Sequence, residues 1–173
     1  MIRVVLTGSE STGKTTLAAR LAAHFGAPLV EEFVRGYAKR KGSALTFDDH
    51  GPIARGQMAL EDAAVASGGR LVVQDTDLLS TVVYCDHYFG ACPPWIAAAA
   101  AARRPNAYLL CEIDVAWIAD EVRDRGHRRE EMQQLFRHAV ARSGTPVAVI
   151  TGDWDERFQR AVDAIDRLLL ENT

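Results

Sequence analysis

A short loop near the amino end constrains the fold of this chain more than any other feature. The apolar run 2–6 is followed by Gly-Ser-Glu-Ser-Thr-Gly-Lys-Thr at residues 8–15, and apolar residues then recur at helical spacing from Leu17 to Phe25. A glycine-bounded loop between a strand and a helix is the context in which this pattern forms a phosphate-binding P-loop. The alternative is a glycine-rich turn before a purely structural helix, and the correct flanking segments argue against it.

Each part of this loop has a physical role in holding a triphosphate. Gly8 and Gly13 let the backbone bend so that successive N–H groups point at phosphate oxygens. The helix N-terminus adds further N–H groups and about half a positive charge. Lys14 supplies a cation for the outer phosphates, and the Thr15 hydroxyl is a candidate Mg²⁺ ligand. We therefore predict that ATP contacts Gly8, Ser9, Glu10, Ser11, Thr12, Gly13, Lys14, Thr15 and Thr16.

Length and composition limit the classes of partner. A chain of 173 residues fits one domain, 1–173, and its net charge of -3 argues against nucleic acid or a membrane surface as the main partner. No apolar run approaches the ~18 residues that span a bilayer, and no signal segment precedes the first strand, so we expect a cytoplasmic protein. Three cysteines without a Cys-x-x-Cys pair indicate neither a disulfide framework nor a zinc site. The sequence leaves the oligomeric state open.

The remaining pattern alternates strands with helices. Strands are predicted at 2–7, 28–32, 70–75, 106–112 and 146–151, with amphipathic helical segments between them. Strands that are apolar on both faces and alternate with helices predict an α/β fold, a P-loop NTPase with a five-stranded parallel sheet flanked by helices. In such sheets ligands bind beyond the carboxyl ends of the strands.

Polar residues follow the second and third strands at the positions where ligands are expected. Asp75 closes the third strand and is the candidate to hold Mg²⁺ together with Thr15, while Asp77 either contacts substrate or caps the next helix. Glu32 closes the second strand and is the candidate to accept a proton from a substrate hydroxyl or to bind a ribose diol. Arg35, one helical turn later, would contact substrate or pair with Glu32.

An arginine-rich segment precedes the last strand. Phosphoryl transfer spreads negative charge over the migrating group, and a guanidinium that closes over it stabilises that charge. We predict a lid at about 119–130, with Arg123 and Arg128 as catalytic candidates and Arg125 as a nucleotide contact. The alternative is an ordinary solvated loop.

Two further groups are candidates for binding the flat rings of the two substrates. Thr151 and Gly152 follow the fifth strand, and a glycine turn there would let the backbone approach an adenine ring. Tyr84, Tyr88 and Trp95 are predicted to line a pocket for an aromatic base. These aromatic side chains could instead simply pack between helices.

With these residues in view, the chain resembles the ribosylnicotinamide kinase domain of the NadR-type proteins over nearly its whole length. The shared features are Glu-Ser inside the P-loop and an Asp-Thr-Asp triplet after the third strand. The full set of matching segments is 7–15, Glu32-Phe33-Val34-Arg35, Gln57-Met58-Ala59, Asp75-Thr76-Asp77 and 117–123. Thr12 and the pair Glu121-Val122 depart mildly from the usual family pattern.

The resemblance implies an ATP- and Mg²⁺-dependent kinase for a small-molecule nucleoside. Its product would be nicotinamide mononucleotide, formed by phosphorylating the 5′-hydroxyl of nicotinamide riboside. Because the P-loop begins at residue 8, we expect this chain to carry neither the adenylyltransferase domain nor the helix-turn-helix found in other family proteins.

Several alternatives stay open at the level of sequence. The acceptor could be the acid analogue of the riboside or another nucleoside, GTP could replace ATP, and either Glu32 or Asp75 could be the base. A nucleotide-gated module that hydrolyses ATP slowly and signals to a partner protein is the rival outside the kinase class. GTPase signalling is disfavoured because the chain has no Asn/Thr-Lys-x-Asp guanine motif.

Overall fold

A computed structural model describes residues 1–115 and 128–172 of the chain. The strands are β1 (Ile2–Thr7), β2 (Leu29–Val30), β3 (Leu71–Asp75), β4 (Ala107–Cys111) and β5 (Val147–Ile150). The helices are α1 (Lys14–Phe25), α2 (Phe33–Lys41), α3 (His50–Ala66), α4 (Leu78–Phe89), α5 (Pro94–Ala102), α6 (Arg129–Ser143) and α7 (Trp154–Glu171), with a 3₁₀ turn at Phe47–Asp49 before α3.

The strands form one parallel sheet in the order β2-β3-β1-β4-β5. All five predicted strands are present, and the predicted α/β class with a five-stranded parallel sheet is confirmed. The observed strands other than β1 are shorter than predicted, most of all β2, which keeps only Leu29 and Val30 paired with β3. β2 is an edge strand with a single neighbour, so its ends have little to pair with.

Both faces of the sheet are covered by helices. Val4 and Leu6 of β1 pack with α1 and α7 on one face, while Val5 packs with α4 and α6 on the other. Alternate residues of a strand point to opposite faces, so a strand buried on both sides is apolar throughout. Within the described ranges, no helix has the length and apolar character needed to cross a membrane.

The register brings the carboxyl ends of the strands to one edge of the sheet. Leu6 of β1 lies beside Asp75 at the end of β3, and Thr7 lies beside Leu110 of β4. Because parallel strands end together, the P-loop after β1 is adjacent to the acidic residues after β3. The sheet order therefore determines which later segments can reach the P-loop.

Candidate active site

The P-loop backbone adopts conformations that require glycine at both ends of the loop. Gly8 has φ +128° and Gly13 has φ +81°, a region that L-residues rarely adopt. Each glycine is also closely covered. A Cβ at Gly8 would lie 2.6 Å from the carbonyl oxygen of Cys111, and one at Gly13 would lie 2.6 Å from the ring of Trp154. An alanine at either position would therefore distort the loop.

Lys14 is the first residue of α1, and its side chain turns back over the loop. Its Nζ donates to the carbonyl oxygen of Ser9 at 2.6 Å and lies 3.4 Å from the hydroxyl of Thr12. The side chain is buried, although it also lines the cleft described below. The ammonium group thus lies at the junction between the loop and the cleft.

Two residues of α6 hold the loop from the side. The carboxamide oxygen of Gln133 accepts from the N–H of Ser9 at 2.9 Å, while its nitrogen donates to the carbonyl of Cys111 at 3.1 Å. Arg129 donates to the carbonyl oxygen of Ser11 at 3.0 Å. These bonds orient the loop backbone with groups from more than 100 residues later in the chain.

Arg157 of α7 is the most deeply buried of the cations around the loop, with 1% of its surface exposed. Its guanidinium donates to the carbonyl oxygens of Thr12, Gly152 and Glu112 at 2.8–3.0 Å and pairs with the carboxylate of Asp114. One side chain therefore ties the P-loop to the segments that follow β4 and β5.

Replacing Arg157 with methionine should lower the free energy of unfolding by about 3–5 kcal/mol. The change leaves three carbonyl oxygens and the partly buried carboxylate of Asp114 without their donor. Urea unfolding followed by circular dichroism would measure it. Arg160→Met, at an exposed position of the same helix, is the matched control and should cost less than about 1 kcal/mol. A loss no larger than that of Arg160→Met would contradict the bridging role.

Thr15 and Asp75 meet at the end of β3. The Thr15 hydroxyl donates to Oδ2 of Asp75 at 2.6 Å, while Oδ1 of Asp75 is buried and has no hydrogen-bond partner among the described residues. Burial raises the pKa of this carboxyl, the hydrogen bond from Thr15 lowers it, and the nearby charge of Glu32 raises it again. A buried carboxylate oxygen with a free lone pair beside a hydroxyl fits a hard cation such as Mg²⁺.

Glu32 and Arg35 face this pair from the start of α2. The Arg35 guanidinium donates to Oε2 of Glu32 at 3.1–3.2 Å and approaches the Thr15 hydroxyl at 3.4 Å. Arg35 therefore pairs with Glu32, one of the two alternatives predicted for it, and its contact with substrate stays a prediction. The carboxylate of Glu32 and the hydroxyl of Thr15 are held close to one guanidinium.

A cleft of about 880 Å³ extends from the P-loop between α2, α3 and α4. Lys14, Glu32 and Arg35 line the end of the cleft nearest the P-loop, which we call the phosphoryl end. Tyr84 and Tyr88 line it further along α4, with rings that are parallel within 3° and centroids 6.2 Å apart. Asp77 and Gln57 also line the cleft. The volume and the lining suit a nucleoside-sized ligand.

Asp77 serves as a helix cap as well as a cleft residue. One oxygen accepts from the N–H of Leu79 at 3.0 Å at the start of α4, and the other accepts from the hydroxyl of Tyr108 at 2.7 Å. Burial raises the pKa of Asp77 to about 6, although the hydrogen bond from Tyr108 acts in the opposite direction.

The raised pKa of Asp77 makes stability depend on pH. The folded chain binds this proton more tightly than the unfolded chain, whose Asp77 titrates near 3.8. The contribution of Asp77 to the free energy of unfolding is therefore largest below pH 3.8. It falls by about 3 kcal/mol as the pH rises from there to about 6. Asparagine can still cap the helix but cannot ionise, so Asp77→Asn should remove this loss.

Urea unfolding at pH 4 and at pH 7 would test this expectation. The free energy of unfolding of Asp77→Asn, relative to that of the wild type, should be higher at pH 7 than at pH 4. Asp86→Asn, on the exposed side of the same helix, serves as the control. Parallel profiles for wild type and Asp77→Asn would show that Asp77 titrates as it does in the unfolded chain.

Two predicted site residues do not line the cleft. Trp95 does not line the cleft, because its ring packs 4.8 Å from the guanidinium of Arg55 on the outer side of α3. Arg128 is exposed just before α6, and it is Arg129 that reaches the P-loop. Consecutive residues at a helix start point in different directions, so one of the pair must face away from the loop. Arg123 and Arg125, with most of the predicted lid, lie outside the described residues.

The segment after β5 is held firmly beside the P-loop. Gly152, at φ +101°, donates its N–H to Asp114 at 2.6 Å, and its carbonyl accepts from Arg157. Thr151 precedes it, and the Trp154 ring that follows covers Gly13. Thr151 and Gly152 lie beside the P-loop, where an adenine ring could be reached. Their contact with adenine stays a prediction.

Four polar residues near the site were not predicted as site residues. Arg129, Gln133 and Arg157 lie in helices that the sequence marks as core-facing, and their partners are distant in the chain. Gln57 is buried on α3, where its carboxamide oxygen accepts from the N–H of Phe33 at 3.0 Å and its nitrogen has no partner among the residues described. A single polar residue on an apolar helix face was the signal available for Gln133 and Arg157, whereas Arg129 falls within the predicted lid and Gln57 within a segment that matches the family pattern.

Comparison with known proteins supplies independent information. A family model described as AAA domain matches residues 3–157. The trifunctional NAD biosynthesis/regulator protein NadR of Escherichia coli (strain K12) is 31% identical over 175 residues, which cover 97% of this chain and 43% of that protein. The chain therefore spans less than half the length of the curated relatives it matches.

Solved structures of NadR agree with this similarity. The crystal structure of NadR protein in complex with NR superposes with a TM-score of 0.81 at 27% identity, covering 96% of this chain and 49% of that one. The complex of NadR protein with NAD and AMP-PNP gives 0.80 at 28% identity with the same coverage. The resemblance to NadR-type proteins that the motifs predicted is confirmed.

Proposed function

The chain belongs to the AAA domain family, and from this premise we propose that it is an ATP-dependent kinase that phosphorylates the 5′-hydroxyl of nicotinamide riboside to give nicotinamide mononucleotide. The similarity to NadR, with structures in complex with NR and with AMP-PNP, supports both substrates. The observation that carries the proposal is the continuity of the cleft, which runs from Lys14 of the P-loop past Glu32 to the tyrosines of α4.

This arrangement separates the two substrates and gives them one meeting point. The triphosphate would lie on the P-loop amides, with its outer phosphate directed at Lys14 and the cleft. The nucleoside would lie between α3 and α4, with its hydroxyl directed at Glu32. The acceptor hydroxyl would then approach the outer phosphate in line with the bond that breaks. Catalysis by a kinase consists mainly of such positioning and of charge stabilisation.

Glu32 is proposed to take the proton as the acceptor oxygen bonds to the γ-phosphorus and the bond to the ADP oxygen breaks. Its ion pair with Arg35 holds the carboxylate in one place at the phosphoryl end. Lys14 neutralises charge on the transferred group. Asp75 is the alternative base, but it already accepts the hydroxyl hydrogen of Thr15.

The residues present also fit a magnesium ion at the same edge of the sheet. Thr15 and Asp75 would hold it directly or through water, and the ion would neutralise charge on the outer phosphates. The lid arginines Arg123, Arg125 and Arg128 remain proposals for the same task, and Arg129 joins them because its guanidinium already contacts the loop.

A panel of nucleosides would test the proposal. ADP release should depend on an added acceptor, with nicotinamide riboside the fastest member of the panel. A nucleotide-gated module would instead release ADP at one slow rate whatever nucleoside is added. Transfer to a different nucleoside would keep the kinase mechanism and replace the acceptor.

A further inference from the structure

The end of the cleft opposite the phosphoryl end has its own chemical character. We call it the distal end and define it by Ser43, Leu45, His50, Tyr84, Tyr88 and Phe89, all of which line the cleft. Gln57 of α3 accepts a hydrogen bond from the N–H of Phe33, the residue after Glu32, so Gln57 lies toward the phosphoryl end of the cleft. His50 lies seven residues earlier on this helix, about 10 Å away along its axis. On the other wall, the Phe89 ring lies 5.1 Å from that of His50.

The hydrogen bonding of His50 determines which of its nitrogens carries the proton. Nδ1 lies 3.1 Å from the carbonyl oxygen of Phe47, which can only accept, so Nδ1 is the donor. In the neutral ring Nε2 is then a hydrogen-bond acceptor. It has no protein partner within residues 1–115 and 128–172. His50 is 5% exposed, and its ring makes an edge contact with Phe89 and a tilted contact with Phe47, whose centroid lies 6.3 Å away.

The charges lining the cleft are distributed unevenly. Among the described lining residues the cations are Lys14 and Arg35, and both lie at the phosphoryl end. The distal end presents the aromatic rings of Tyr84, Tyr88 and Phe89, the imidazole of His50, an aliphatic side chain and one serine. A carboxylate brought there would lose hydration without gaining a cation. A positively charged aromatic ring would be attracted to the faces of Tyr84 and Tyr88 whether its substituent is a carboxamide or a carboxylate.

Resting on the function proposed above, we infer that the distal end selects the carboxamide form of the riboside over its carboxylate analogue, with His50 as the specificity-determining residue. The Nε2 lone pair of His50 accepts a hydrogen bond from the carboxamide N–H, a donor that the carboxylate lacks. The pyridinium ring packs against the tyrosines. The aromatic lining can hold the cationic ring of either riboside, so the selection depends on the hydrogen bond to His50 and on the absence of a nearby cation among the described lining residues, which disfavours the acid.

Competition between the two ribosides in the intact protein tests this inference. With ATP and Mg²⁺ present, kcat/KM for nicotinamide riboside should exceed that for nicotinic acid riboside by about 30-fold or more. His50→Asn keeps a donor for the Phe47 carbonyl but has no atom at the position of Nε2. This variant and His50→Phe should each reduce the ratio about tenfold, through slower use of the amide. Leu45→Arg should raise use of the acid at least tenfold by supplying a cation.

His138→Phe, at an exposed position of α6, is the matched control and should leave the ratio unchanged. Wild-type use of the two ribosides within threefold of each other would overturn the inference, and so would an unchanged ratio in folded His50→Asn. The wild-type ratio and the Leu45→Arg variant do not depend on the His50 variants. If the His50 variants failed to fold, these two measurements would still test the inference.

Calorimetry with a non-hydrolysable ATP analogue separates this inference from the proposed function. Preferential binding of the amide without any transfer would refute the kinase and support the selectivity. Equal transfer to both ribosides would support the kinase and refute the selectivity. Failure of both ribosides to bind would overturn both.

Discussion

Lys14→Ala should lower kcat/KM for phosphoryl transfer by at least about a thousandfold while leaving the fold intact. Lys14 carries the one ammonium group among the described residues lining the cleft, and it lies at the point where the P-loop meets the acceptor. Its bonds to Ser9 and Thr12 contribute little to the fold, because both partners are in the same loop and Thr12 also bonds the Ser9 carbonyl. Coupled ADP-release kinetics and circular dichroism would measure the two effects separately.

Lys39→Ala is the appropriate control for the loss of one positive charge. Lys39 is exposed on α2 and does not line the cleft, so its removal should change kcat/KM less than twofold. Full turnover by a correctly folded Lys14→Ala protein would refute the assignment of residues 8–15 as the site that holds the transferred phosphate.

Glu32→Gln should reduce kcat for transfer by about 10²–10⁴-fold while the affinity for ATP changes less than about threefold. Glutamine keeps the size of the side chain and an oxygen that can accept from Arg35, so the start of α2 should keep its geometry. It cannot take a proton from the acceptor hydroxyl. Steady-state kinetics and calorimetric titration with an ATP analogue would measure the two quantities.

The neighbouring Glu31 supplies the control, because Glu31→Gln removes an acidic group from an exposed position beside the site. We expect it to leave kcat within about twofold. If Glu32→Gln weakened ATP binding as strongly as it slowed transfer, Glu32 would belong to the nucleotide side of the site. Asp75 would then become the better candidate for the base.

Much of the fold could be predicted because its signals are local. The P-loop, the apolar strands and the helical stripes each depend on residues that are close in sequence, and the structure places all five strands where the pattern put them, though shortened at β2. Glu32, Arg35, Asp75 and Asp77 could be proposed together for a related reason. Each lies at or just after the end of a strand, and parallel strands end at one edge of the sheet.

The supporting contacts could not be predicted in the same way. Arg157 bonds Thr12 across 145 residues, and its position in α7 resembles any other place on an amphipathic helix. Arg129 contacts the P-loop and Arg128 does not, a distinction that depends on the rotation of α6 about its axis. Trp95 has an aromatic side chain of the kind that often lines a pocket. However, α5 packs so that the Trp95 ring contacts Arg55 outside the cleft.

The phosphate-binding loop, the parallel α/β architecture and the acidic residues at the strand ends could all be predicted from the sequence. Each follows from spacing along the chain and from the helical and strand periodicities. Only the packing of the elements shows which arginine contacts the loop, which aromatic rings line the cleft and which nitrogen of His50 donates to the Phe47 carbonyl. Those properties depend on strand order and on helix rotation, which bring together residues that no local pattern connects.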